Sequence, residues 1–279
     1  MRTQPLYFIF VCALGLLAGC GGSMSGKPDI ASPASSTASG IPPNAQTLFD
    51  LHQSTGWTGQ GMLPSAYEIC QSCNPSGPEV TWSMTRSVSS PALSGNSTRF
   101  DIGGQTPYSD VLWNNHLIGA FSTQGLPDSS KTLVPALRNF IYDVYFYGAD
   151  LEASQILEFD INQYVNEQSY IWGHQCRIAG GHEWDTWDNL NKAWVSTGVP
   201  CNPISNSWNH LTIQVERTTG EQLLYQSITL NGVTNRLDIT RAPGSAPGWY
   251  GIVMNYQMDG NFAQQSYSVW LDKLNFTYW

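Results

Sequence analysis

Gln155 to Ile178 reads QILEFDINQYVNEQSYIWGHQCRI. With a period of two, Leu157, Phe159 and Ile161 point to one side, and Glu158, Asp160, Asn162 and Tyr164 to the other. That is the pattern of a β-strand with one buried face and a row of polar groups on the opposite face. The polar connection Asn166-Glu167-Gln168-Ser169 leads into Tyr170, Trp172 and His174, spaced for one face of a second strand. Paired as a hairpin, the two strands are expected to bring carboxylates, an indole and an imidazole onto one sheet surface. Surfaces of this kind bind sugars.

Further strands are expected on both sides of this stretch, at 80–88, 97–103, 110–122, 139–148, 208–217, 222–231, 249–258 and 266–278. Ser94-Gly95-Asn96, Gly103-Gly104, Gly180-Gly181 and Asn231-Gly232 supply turn signals between them. SITL and VTNRLDI around Asn231-Gly232 read as a hairpin with a type I′ turn. One short helical signal precedes the series at residues 44–53, where Leu48, Leu51 and His52 share a face. Two connections are long, 123–138 and 179–207. The second carries His182, Glu183, Trp184, Asp185, Trp187, Asp188 and Trp194, which is too aromatic for disorder, so a structured loop beside the polar face is expected. The whole predicts one all-β, two-sheet antiparallel sandwich from residue 44 to the C-terminus.

Composition narrows the partners. The chain has 279 residues, 11 Trp and 13 Tyr, and only 12% charged residues, which favours strands and turns over long solvated helices. A net charge of -9 argues against nucleic acid or an anionic membrane surface, since phosphate binding needs clustered Lys and Arg. A neutral polysaccharide or oligosaccharide suits this balance better, and a monomer is expected.

At the N-terminus, Arg2 and an apolar run from Leu6 to Leu17 have the form of a signal peptide, too short for a comfortable membrane span. Leu17-Ala18-Gly19-Cys20 resembles the lipobox of bacterial lipoproteins. The resemblance implies cleavage after residue 19, lipidation of Cys20 and contact with the membrane through that anchor only. Gly21 in place of an acidic residue points to the outer membrane of a bacterial envelope. Residues 20–43, rich in Gly, Ser, Ala and Pro, read as a flexible tether. With Cys12 lost and Cys20 acylated, Cys70, Cys73, Cys176 and Cys201 remain. In an oxidising envelope they pair most simply as Cys70–Cys73 and Cys176–Cys201, the rival being a four-thiolate zinc site.

From Val80 to Trp279 the pattern resembles the concanavalin A-like lectin/glucanase jelly rolls. The run of strands, SPALSGNSTRFDIGG at 90–104 and Leu157-Glu158-Phe159-Asp160 carry the likeness. The superfamily implies a glycan-binding concave sheet. Its laminarinase-type hydrolases place E-x-D-x-x-E or E-x-D-x-E on one strand, which by resemblance makes Glu158 the nucleophile and Asp160 its helper. The last position here is Asn162 or Gln163, and neither amide can donate and recover a proton.

Glu158 and Asp160 therefore have three readings: catalytic, glycan hydrogen-bond acceptors, or ordinary solvent-face carboxylates. His174 is a replacement proton donor or a hydrogen-bonded sheet histidine. His174, His182 and Glu183 lack a known metal-ligand spacing. No cofactor is expected beyond a structural calcium at loop carboxylates such as Asp259. Asn162, Asn255 and Gln257 are placed to read sugar hydroxyls, and Trp172 to stack on a ring. Trp184, Trp187 and Trp194 either wall the groove or pack under it. The sequence reading is a tethered lipoprotein that binds polysaccharide. The alternatives are a glycoside hydrolase, a lyase for which Arg177 and Arg217 are the nearby cations, and a structural envelope lipoprotein.

Overall fold

Alternating apolar and polar residues, cut by Gly, Asn and Pro turns, make strands nearly all of the regular secondary structure among the described residues. The computed structural model describes residues 40–63 and 80–279, of which residues 42–63 and 80–279 belong to one compact unit. The expected signal segment, Cys20, the expected tether up to residue 39 and the expected pair Cys70 and Cys73 lie outside the described residues. In chain order the strands are β1 (Gln46–Leu48), β2 (Trp57–Met62), β3 (Val80–Val88), β4 (Ser97–Gly104), β5 (Asp110–Ile118) and β6 (Asn139–Gly148). They continue with β7 (Ser154–Val165), β8 (Gln168–Trp172), β9 (His174–Arg177), β10 (Glu183–Asp188), β11 (Ala193–Pro200) and β12 (Trp208–Arg217). The last are β13 (Leu223–Leu230), β14 (Val233–Arg241), β15 (Gly244–Ser245), β16 (Gly251–Gly260) and β17 (Tyr267–Tyr278), with one short helix, α1 (Leu133–Ala136).

They form two antiparallel sheets. The first runs β14-β13-β12-β6-β17-β4-β3, with β1 added beside β17. The second runs β11-β10-β9-β7-β16-β5-β2, with β8 also paired to β7 and β15 to β8. The two-sheet antiparallel sandwich expected from the sequence is the architecture. The helical turn expected over 44–53 is one 3₁₀ turn at Leu51–Gln53, because Gln46–Leu48 extends to pair with β17 and Asp50 turns the chain at φ 51°. The long connection 179–207 is not a loop. It contains the hairpin β10–β11, stapled by the disulfide Cys176–Cys201.

Between the sheets lies an aromatic core centred on Phe159, whose ring meets Tyr142, Phe146, Trp184 and Tyr256 at centroid distances of 5.4–6.4 Å. Edge-to-face and tilted contacts suit the ring quadrupoles, and each such side chain contributes roughly 1.5–3 kcal/mol through burial. Gln163 also points inward from β7 and is fully buried. Its Nε2 donates to the carbonyls of Val134 (2.7 Å) and Leu137 (3.0 Å), satisfying groups that α1 leaves free at its end.

Candidate functional site

Strand β7 keeps the alternation read from the sequence: Leu157, Phe159 and Ile161 face the core, and Glu158, Asp160 and Asn162 face away from it. Register carries the same outward row across two neighbours. Gln257 of β16 stands opposite Glu158, Asn255 opposite Asp160, and Asp259 opposite Ile156. On β5, Leu112 faces Gln257, Asn114 faces Asn255, and Asp110 faces Asp259. On the other side, Gln175 of β9 pairs with Glu158, and Asp185 of β10 with Gln175.

These outward residues are not open to solvent. Glu158 and Asp160 are each 6% exposed, and Asn162, Asn255, Gln257 and Asp259 no more than 8%. Glu158, Asp160, Asn162, Asn255 and Gln257 form the floor of a depression of about 290 Å³, lined also by Leu112, Ile171, Gly173, Trp187 and Trp194. Trp187 and Trp194 meet edge to face at 5.2 Å. Gly173 lets them lie there: a Cβ on it would come within 2.9 Å of both indole side chains. An adjoining depression of about 460 Å³ shares Ile171 and Trp187, and continues past Asn189 and Lys192 to Tyr164 and Trp249. The last two rings pack at 5.3 Å, with Trp249 more than half exposed.

The electrostatics follow from that burial. Desolvation, then the charges of Asp259, Asp160 and Asp110, hold Glu158 well above the usual carboxylate range. Burial pushes Asp160 up to about 7, opposed by the backbone amide of His174 (3.3 Å) and the amide of Asn255. Burial also pushes Asp259 up to about 7, and burial with the charge of Asp259 raises Asp110 to about 8. Gln257 Nε2 donates to both Glu158 Oε1 (2.8 Å) and Asp259 Oδ1 (2.9 Å), so the two carboxyls share one donor. Arg177 does not pair with Glu158 or Asp160. It meets Asp185 at 2.8 Å and Glu183 at 2.9 Å instead.

Three residues expected on this face lie elsewhere. Trp172 is fully buried in the core against Phe140 (5.5 Å) and Tyr170 (6.0 Å). Trp184 is 1% exposed and packs on Phe159. His174 points inward, its ring 5.0 Å from that of Tyr225 and its Nδ1 3.1 Å from the carbonyl of Trp172. Burial lowers its pKa to about 3, so it is neutral and on the wrong side of the sheet to protonate a ligand held at Glu158. The reason is register. The connection is a two-residue turn at Asn166-Glu167, both at positive φ, with Val165 opposite Gln168. That parity sets Ile161 opposite Trp172 and puts Ile171 and Gly173 on the outer face.

Glu158, Asp160, Asn162, Trp187, Asn255 and Gln257 are brought together, whereas Trp172, Trp184 and His174 are not. Reasoning from sequence overlooked Asp110 and Leu112, although Val111, Trp113 and Leu117 alternate with Asp110, Leu112, Asn114 and His116 along 110–117. Asp259, read as a loop carboxylate, lies on β16. Among the described residues no group of three or more His, Cys, Asp or Glu side chains is placed to hold a metal ion.

No family model and no curated protein matches the chain. Solved structures resemble it at a distance. A cellulose-induced protein is 12% identical over 80% of this chain and 91% of its own, with a TM-score of 0.44. A carbohydrate esterase from the Shiga toxin-encoding bacteriophage phi24B is 11% identical over 84% and 98%, with a TM-score of 0.42. Basic winged bean lectin is 8% identical over 80% and 98%, with a TM-score of 0.41. At that distance they add nothing to what the strand order itself establishes.

Proposed function

We propose that this chain binds polysaccharide across the outer face of its second sheet. One observation carries the reading: a buried polar floor of carboxyls and amides ends against the paired indoles of Trp187 and Trp194. Sugars need both, hydrogen-bonding groups for hydroxyls and an aromatic face for the apolar side of the ring. The neighbouring depression, with Trp249 and Tyr164, lengthens the track to more than one sugar. The test is a polysaccharide panel scored for retention and for released reducing ends. Retention without product, reduced at least tenfold in Trp187→Ala, is the expected result. Retention unchanged in Trp187→Ala and in Glu158→Gln would rule out this face.

A hydrolytic second reading is favoured by the shared donor at Gln257. It sets Asp259 beside Glu158, where β7 itself offers only Asn162. Of two adjacent buried carboxyls one stays protonated as the acid and the other ionises as nucleophile or base. Product formation abolished by Asp259→Asn as well as by Glu158→Gln is the signature of this reading. The lipid anchor belongs to the same proposal: Cys20 acylated, the tether beyond it, and the glycan face held at the bacterial outer membrane. Metabolic labelling with a clickable fatty acid, lost in Cys20→Ser, checks it.

A further inference from the structure

The floor of the depression holds acceptors that its own amide donors do not reach. Four buried side-chain oxygens on this face have no hydrogen-bond partner: Oδ1 of Asn162, of Asn255 and of Asp185, and Oε1 of Gln175. All four belong to side chains no more than 7% exposed, so open solvent does not satisfy them. Among them stand the carboxyls of Asp110, Glu158, Asp160 and Asp259, spread over the three adjacent strands β5, β16 and β7. The guanidinium on this face, Arg177, is already engaged by Asp185, Glu183 and the carbonyl of Gly180. A buried acceptor without a donor and a buried carboxyl without a counter-charge are both costly, and one kind of ligand group relieves both.

Among the described residues no three His, Cys, Asp or Glu side chains are grouped to hold a metal ion. Neighbouring strands are about 5 Å apart, and same-face residues along a strand about 7 Å, so the carboxyls, held protonated for want of a counter-charge, are dispersed, and each ionises when a cation comes beside it. That spacing suits cations carried at intervals along a chain. An ammonium group has three donors and no acceptor, and it is attracted to the face of an indole. A neutral sugar's hydroxyls add as many acceptors as donors, an N-acetyl group removes the cation, and a uronate brings a like charge.

Resting on the glycan-binding reading, we infer that the ligand is a polysaccharide with free amino groups, a polymer of 2-amino-2-deoxyhexose residues. Its ammonium groups sit among Glu158, Asp160 and the free oxygens of Asn162 and Asn255, and its rings lie against Trp187.

The test compares three β-1,4-linked hexamers that differ only at the second carbon of each sugar: amine, N-acetyl amine and hydroxyl. Binding to the full chain is measured by calorimetry at pH 6 in low salt. The expected result is at least tenfold tighter binding of the free-amine hexamer, lost in Asp160→Asn and in Trp187→Ala. Because an acidic protein attracts any polycation, Glu216→Gln/Asp238→Asn removes two charges from the other sheet, and it is expected to leave the preference intact. Equal or tighter binding of either neutral hexamer overturns the amino-sugar assignment and leaves glycan binding standing. So does a preference that Glu216→Gln/Asp238→Asn abolishes, or one that Asp160→Asn leaves unchanged. No binding of any hexamer, with no retention on the wider polysaccharide panel, overturns both.

Discussion

The outer faces of the two sheets carry similar residues in different states. On the first sheet, Asp143 accepts from Thr212 (2.6 Å) and pairs with His210 (3.0 Å), and Tyr145 stacks on the His210 ring at 4.1 Å. Gln226 donates to Glu216 at 2.9 Å. These groups are part-exposed and each finds a partner, as on any solvated sheet. On the second sheet, the same kinds of residue are more than nine-tenths buried, with raised carboxyl pKa values and oxygens left unpartnered. A polar row along a strand is therefore no evidence of a site. Its desolvation is, because the folded chain then carries a cost that a ligand can remove.

The largest effect that separates inside from outside is at the tryptophans. Trp172→Ala removes a fully buried indole and is expected to cost about 3–5 kcal/mol in urea unfolding. Trp187→Ala, on the outer face, is expected to cost about 1 kcal/mol or less while losing ligand. Comparable stability losses would mean that Trp187 is a core residue and not a binding platform.

Next comes the disulfide. Cys176 and Cys201 are 25 residues apart in sequence and enclose the hairpin that carries Trp187 and Trp194. Cys176→Ser/Cys201→Ser is expected to destabilise by about 3 kcal/mol. It is also expected to weaken glycan retention before the fold melts, since it loosens the wall of the second face and not of the first. Retention unaltered at temperatures well below unfolding would show that the staple has no part in the site.

A smaller effect, in pH, tests the burial directly. Asp160 and Asp259, at about 7 in the folded chain against an ordinary 3.8, hold protons that the unfolded chain has already released, and Asp110 does so up to about 8. Their contribution is complete below pH 4 and is lost as the pH rises through 7 to 8. His174 acts in the opposite sense, but only between about 3 and 6.5. From pH 6.5 to 8.5 the carboxyls therefore dominate, and Tm is expected to fall by on the order of 5 °C. Asp259→Asn should flatten that slope. A Tm that is constant or rising over this range contradicts the desolvated floor.

The smallest effect is the control on the first sheet. Asp143→Asn, in a part-exposed pair with His210, is expected to change stability by less than about 1 kcal/mol and to leave glycan retention alone. A larger loss would erase the contrast between the two faces.

Much of this was legible in the chain as written. The alternation from Leu157 to Tyr164 decided which side of β7 is core, because side chains along a strand can only alternate. The run of such segments between turn residues decided a sandwich, and Asn255 and Gln257 were assigned to their face for the same reason. What the sequence did not decide is how one strand's alternation meets the next. The turn after β7 contains two residues, Asn166 and Glu167, and a turn of two or of four residues alike sets the odd-numbered residues of β7 opposite the even-numbered residues of β8, so Trp172 and His174 fall on the core face with Ile161. Glu167 at positive φ has no strong sequence signal, unlike the Asn231-Gly232 turn, so the register was hidden. Burial of the polar face was hidden as well. It depends on indoles and strands contributed from distant parts of the chain, and only the tertiary structure brings Leu112, Glu158, Trp187 and Gln257 to one depression.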